Sequence, residues 1–344
     1  YLTPILARSY SADTQLNQLL FRGLFRVDEH LQVVNDLAES LLVSSDGKTY
    51  TVKLRPNQLW SDGHGLDSTD ALYTFETIAD PSYQSPYQGQ FKNVTITAPD
   101  LLTVVFTMAE PLASFRSYLI IGLIPSHLWQ DQTPQNFPLA ELNIKPVTSG
   151  PYRFMSLTKD RSGNIKEYTF GRNKNSVGPR PRIDRLTAKF YFDMASGIEA
   201  LKSNAIDSLG GLDATNMAAV AKYRQLTRFA LSQVTGVFFN QKTSTVLKIK
   251  EVRQALAMSV DRQSLINSTM GGVGQPAYGP MIPGQAGYSS TAKHFDFDLD
   301  LAKATLEKAG WKPATDGVRQ KGGKTLSFAL TTIDDPQYLA VAQA

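Results

Sequence analysis

The sequence predicts an α/β protein of more than one domain. Three observations carry this. Segments alternating apolar and polar residues at a period of two are interleaved with segments whose apolar residues recur at helical spacing. The 344 residues exceed the roughly 250–300 at which a single hydrophobic core stops growing. The balance, 42% hydrophobic and 19% charged, is that of ordinary globular domains.

The elements follow in order. Residues 1–4 read as the end of a strand and 5–12 as a loop. Asp13 is placed to cap a helix with Leu16, Leu19, Leu20 and Leu24 on one face. Asp46-Gly47 is a turn, since glycine tolerates positive φ. Residues 49–54 form a half-buried strand with Tyr50, Val52 and Leu54 on one face and Thr49, Thr51 and Lys53 on the other. Pro56 ends it. Residues 60–63 make a second turn, and Ser68 or Thr69 is expected to cap a helix running to Ile78. The prolines at 81 and 86 make 80–87 a rigid loop. Strands are predicted at 94–97, 103–107, 167–170, 186–192, 206–207, 237–240 and 325–331. A short helix is predicted at 112–119 and another from Ser196 to Asn204. Residues 251–270 read as one amphipathic helix, with Val252, Leu256, Val260 and Ile266 sharing a face. Asp300 is placed to cap a further helix that Gly310 ends.

The order of residues says more than their periodicity. The run from Asp46 to Asp70, DGKTYTVKLRPNQLWSDGHGLDSTD, resembles the hallmark DGKTYTFxLRxxxxWxDGxxxTAxD of the family 5 extracellular solute-binding proteins of bacterial ABC importers. Four further blocks resemble family motifs in family order: Gly23-Leu24, Ile124 to Trp129, Pro146 to Phe154 and Glu251 to Arg262. In the third, Val147-Thr148-Ser149 stands where Gly-Thr is usual. The resemblance implies a fold like the type II periplasmic binding proteins: two lobes of mixed sheet flanked by helices. Lobe I is expected from 1–21 and 126–232, an inserted subdomain from 22–125, and the first part of lobe II from 233–344. Family members continue well beyond a point like Asp334-Asp335-Pro336, so the second lobe is expected to be incomplete here.

The resemblance also implies a function. A receptor of this kind captures a solute, here expected to be an oligopeptide or dipeptide, in an interlobe cleft and hands it unchanged to ABC permease subunits. No cofactor is called for, and no enzyme activity. Export to the periplasm or cell surface is expected, with a lipid anchor upstream of Tyr1 and a monomeric state. A glycan-binding or sensory receptor on the same scaffold and a hydrolase are the rival readings.

Composition narrows the chemistry. There are no cysteines, which removes disulfides, thiolate metal sites and cysteine nucleophiles. No apolar run approaches the length of a membrane span. The net charge of +4 is weak for this length, the basic residues read as scattered, and no Lys/Arg run reaches five, so no nucleic-acid footprint is expected. Asp296, Asp298 and Asp300 have calcium-loop spacing, but Leu301 stands where that loop needs glycine. Residues 317–325 resemble a phosphate loop but read better as a hairpin. The four histidines, His30, His64, His127 and His294, are far apart in sequence and form no HxxxH pair.

Position by position, the resemblance places the ligand against Arg8, Ser9 and Tyr10 after Pro4, against Tyr87 and Tyr118, and against Thr235 and Gly236 near the hinge. Arg8 is suited to meet a ligand carboxylate. Tyr87 offers a rigid ring with a polar tip. Trp60, in the fold-defining block, is expected to pack in the core.

Overall fold

The computed structural model describes residues 1–7, 12–227, 233–283, 285 and 287–344. They form two compact units, Tyr1–Tyr191 and Phe192–Ala344.

In the first unit α1 (Ala12–Leu20) is followed by the two-stranded β1 (Phe25–Val27) and β2 (Val33–Asn35). Then come β3 (Ala38–Val43), β4 (Thr49–Leu54), β5 (Gln58–Leu59), β6 (Gly65–Leu66) and α2 (Ser68–Ala79). After these lie α3 (Gln88–Phe91), β7 (Val94–Asp100), β8 (Thr103–Met108), α4 (Ser126–Trp129), β9 (Tyr152–Lys159), β10 (Ile165–Arg172) and β11 (Arg185–Lys189). Four strands make a sheet in the order β3-β4-β8-β7, and three make a second in the order β11-β10-β9. Every strand pairing among the described residues is antiparallel.

The period-two pattern of β4 sets the core. Tyr50, Val52 and Leu54 are buried, and Val52 lies opposite Val104 of β8. Helix α2 lays Phe75 on this face, edge-on to Phe106 at 5.2 Å and tilted against Phe91 at 5.1 Å. Offset and edge-on rings are favoured because each ring's positive edge meets a negative face.

The cap of α2 is Asp67 rather than Ser68 or Thr69. Its side chain accepts from the Thr69 N–H at 2.8 Å, while Asp70 reaches back to the Asp67 N–H at 3.2 Å, a reciprocal capping box. Residues 1–4 form no strand; the Leu2 N–H donates to the Asn143 carbonyl at 2.8 Å. The helix expected at 112–119 is the 3₁₀ turn Phe115–Ile120. Gly150 has a steric reason: its N–H donates to the Leu20 carbonyl at 2.7 Å, and a Cβ there would sit 2.6 Å from the Leu19 carbonyl oxygen.

The second unit holds α5 (Met194–Lys202), α6 (Ala214–Val220), α7 (Lys250–Met258), α8 (Arg262–Met270), α9 (Leu299–Lys308) and α10 (Pro336–Gln343). A small sheet joins β12 (Lys312–Pro313), β13 (Arg319–Lys321) and β14 (Lys324–Thr325). Val246, Leu247, Val252 and Trp311 form its main core. Residues 251–270 are thus two helices, because Asp261 accepts from the Ser264 N–H at 3.0 Å and caps a new one. Asp298, not Asp300, caps α9 through the Leu301 N–H at 2.8 Å. Residues 206–207, 237–240 and 326–331 form no strand. Among the described residues no helix is long and apolar enough to cross a membrane.

Candidate ligand-binding site

The block around Trp60 is a knot of hydrogen bonds within the first unit. Trp60 is fully buried, and its indole N–H donates to Asp70 Oδ2 at 3.0 Å. The other Asp70 oxygen accepts from Ser126 N–H at 2.7 Å and its hydroxyl at 2.8 Å, tying α2 to the start of α4. Burial pushes the Asp70 carboxyl above the usual carboxylate value, outweighing these hydrogen bonds. Ser61 and Thr148 exchange two bonds: Ser61 N–H to the Thr148 carbonyl at 2.8 Å, and Thr148 N–H to Ser61 Oγ at 3.0 Å. Asn175 donates its amide to the Trp60 carbonyl at 2.9 Å. The turn at 60–63 therefore fastens residues that are 87 and 115 positions away in sequence.

The proline-containing loop grips the N-terminal segment twice. The buried Ser85 hydroxyl donates to the Ile5 carbonyl at 2.7 Å, and the half-buried Tyr87 hydroxyl donates to the Ala7 carbonyl at 3.0 Å. Pro86 takes the second position of a turn closed by the Gln88 N–H on the Ser85 carbonyl at 3.1 Å, with Tyr87 at φ −97° and ψ −1°. Ser85 is not among the residues the sequence marks; its role rests on this contact with a carbonyl 80 positions earlier. Tyr118 meets Phe91 and Phe115 edge-on at 6.4 and 6.2 Å, and Phe91 ends the helix that begins just after Tyr87. Tyr87 and Tyr118 are each half-buried and pack against the main core of the first unit.

Arg8, Ser9 and Tyr10 lie outside the described residues. They directly follow Ala7, whose carbonyl Tyr87 holds. Thr235 and Gly236 are exposed in the second unit, and nothing lies within 4 Å of a Cβ built on Gly236.

Two of the histidines come together although 63 positions apart. The rings of His64 and His127 stack with centroids 3.9 Å apart, and His127 Nε2 lies 2.9 Å from Asp62 Oδ2. Burial raises the Asp62 carboxyl, but the bonds from His127 and the His64 N–H outweigh it and hold it below the usual value. Among the described residues His127 Nδ1 is buried with no hydrogen-bond partner. Among the described residues no group of three or more His, Asp or Glu is arranged to hold a metal ion.

Comparison with known proteins places this architecture. Protein XP55 of Streptomyces lividans is 29% identical over 345 residues, covering 96% of this chain and 58% of its own. The oligopeptide-binding protein AppA of Bacillus subtilis, solved in complex with a nonapeptide, shares 25% identity at a TM-score of 0.66 over 95% of this chain and 65% of its own. NikZ of Campylobacter jejuni, solved with Ni(L-His), shares 26% identity at a TM-score of 0.69 over 94% of this chain and 64% of its own. The chain therefore spans less than two thirds of each of these relatives. The expected type II binding-protein fold is borne out by this likeness. The description "bacterial extracellular solute-binding proteins, family 5 Middle" matches residues 32–344. With nine tenths of the chain inside that match, the protein belongs to the bacterial extracellular solute-binding proteins of family 5.

Proposed function

We propose that this chain is the greater part of the substrate-binding component of an ABC importer, and that its solute is a peptide. What carries the reading is the likeness to AppA, a peptide receptor, across 95% of the chain. The site chemistry supports it. Backbone carbonyls held in place by Ser85 and Tyr87, with aromatic surfaces beside them, suit a ligand recognised through its own backbone. Such a receptor makes and breaks no bonds; it needs about −8 kcal/mol for micromolar capture, within reach of several hydrogen bonds and an ion pair.

Lobe I is assigned to 1–21 and 126–232, the inserted subdomain to 22–125 and the opening of lobe II to 233–344. Arg8, Ser9, Tyr10, Tyr87, Tyr118, Thr235 and Gly236 are assigned to ligand contact. Export, an upstream lipid anchor and a monomeric state belong to the same proposal. Native mass spectrometry of the gently purified full-length gene product, incubated with a peptide mixture, tests it. Intact peptides that remain bound support capture. Cleaved products support hydrolysis, and a retained metal chelate or glycan replaces the peptide as solute.

A further inference from the structure

The net charge of this chain is not spread over it. Residues 172–185 contain Arg172, Lys174, Arg180, Arg182 and Arg185 against a single acid, Asp184, a net of +4. That equals the net charge of all 344 residues, so the remainder balances to zero. Arg172 is half-buried and ion-pairs with Asp184. This leaves Lys174, Arg180, Arg182 and Arg185 exposed, with no ion pair among the described residues. Arg153 adds to them. It lies opposite Gly171 on one side as Arg185 does on the other, so both occupy one row of the three-stranded sheet, separated by a residue without a side chain. Arg153 is also exposed.

The loop presents these side chains on a fixed backbone. The Val177 carbonyl accepts from Arg22 Nη1 at 2.9 Å, the Ile183 carbonyl from the Tyr152 hydroxyl at 3.0 Å, and the Asp184 carbonyl from the Arg172 N–H at 3.0 Å. Pro179 and Pro181 stiffen the stretch between. Meanwhile the side chains of Val177 and Ile183 are 50% and 56% exposed, apolar residues set among the cations. No aromatic lies within 172–185, which leaves nothing for stacking on nucleic-acid bases.

We propose that this loop docks on an anionic lipid surface, with the arginines at the headgroups and Val177 and Ile183 entering the interface. Clustered cations each gain from the negative surface potential, and interspersed apolar side chains add burial that a purely acidic partner would not offer. The contact is independent of which solute the protein carries.

Flotation with vesicles tests it on the 344-residue protein. Vesicles of phosphatidylcholine with about 30% phosphatidylglycerol should retain the protein, and pure phosphatidylcholine should not. Raising salt from about 0.05 M to about 0.5 M should lower partitioning at least tenfold. R180A/R182A should lower it about 30-fold and V177S/I183S by a smaller factor at unchanged salt slope. K92A/K248A, which removes two exposed lysines elsewhere, should leave it unchanged. Circular dichroism confirms that each variant is folded. Equal binding to both vesicle types, equal loss in K92A/K248A, or retention on immobilised polyglutamate with no vesicle binding would each overturn the proposal, the last in favour of an acidic protein partner.

Discussion

Replacing Asp70 by alanine tests the reasoning about the fold-defining block most directly. The carboxylate is almost wholly buried and accepts from four donors: the Trp60 indole, the Asp67 N–H, and the Ser126 N–H and hydroxyl. Alanine leaves these four donors unpaired in the interior, which at about 1 kcal/mol each sums to ~4 kcal/mol. The net loss for D70A is therefore about 3–5 kcal/mol in the stability of the first unit. Because the chain has two compact units, a single global transition is the wrong readout. A W311F background leaves Trp60 and Trp129, both in the first unit, as fluorescence reporters of urea unfolding. W60F and the double variant complete a cycle, and the Trp60–Asp70 coupling should be about 1–2 kcal/mol. A loss below about 1 kcal/mol for D70A, with no coupling, would refute the account of Asp70 as the acceptor that joins α2, α4 and the 60–63 turn.

The same segment should titrate in two directions. Asp70 has a raised folded pKa, so its contribution is greatest below 3.8 and is lost as pH rises through the raised value; the margin of wild type over D70N should shrink along that rise. Asp62 has a lowered pKa, so its contribution is present above 3.8 and lost as pH falls through the lowered value; the margin over D62N should grow with rising pH, and two slopes of one sign in urea titrations would contradict this. S85A and Y87F should each cost about 1 kcal/mol in the first unit by the same fluorescence, and S85A the more, since its hydroxyl is the more buried. G150A should cost about 2–3 kcal/mol because the added carbon meets backbone rather than a side chain that can rotate away.

Legibility from sequence varied for physical reasons. The strand 49–54 was readable because one face is buried and the other is not, so its alternation reports a real asymmetry. The cap of α2 lies one residue before Ser68 and two before Thr69, since both are good caps and only the reach-back of Asp70 selects Asp67. Residues 251–270 look like one helix in sequence because the apolar period continues by chance across Val260, which is 40% exposed, while Asp261 restarts the helix. The pattern at 325–331 could not show whether a partner strand stands beside it, and pairing reaches only Thr325. At the expected site, Tyr87 was visible as an aromatic in a stiff loop; Ser85 was not, because a lone serine carries no signal until its carbonyl partner 80 positions earlier is known. The meeting of His64 and His127 is likewise a product of tertiary folding that no local spacing encodes. The basic loop forms no run of cations, because proline and polar residues space them, yet its net charge equals the chain's.

The bonds that Ser61 shares with Thr148 and that Trp60 receives from Asn175 have a temporal meaning. A nascent chain that has just exposed Trp60 must add 115 more residues before Asn175 exists, roughly 6–23 s at ordinary elongation rates. Over that interval the four-stranded sheet completes its own pairings by Met108, while the tryptophan turn waits for its latch. The most distinctive patch of this polypeptide is therefore among the last in its half of the molecule to become secure, and it is there that a holding chaperone would find its longest opportunity.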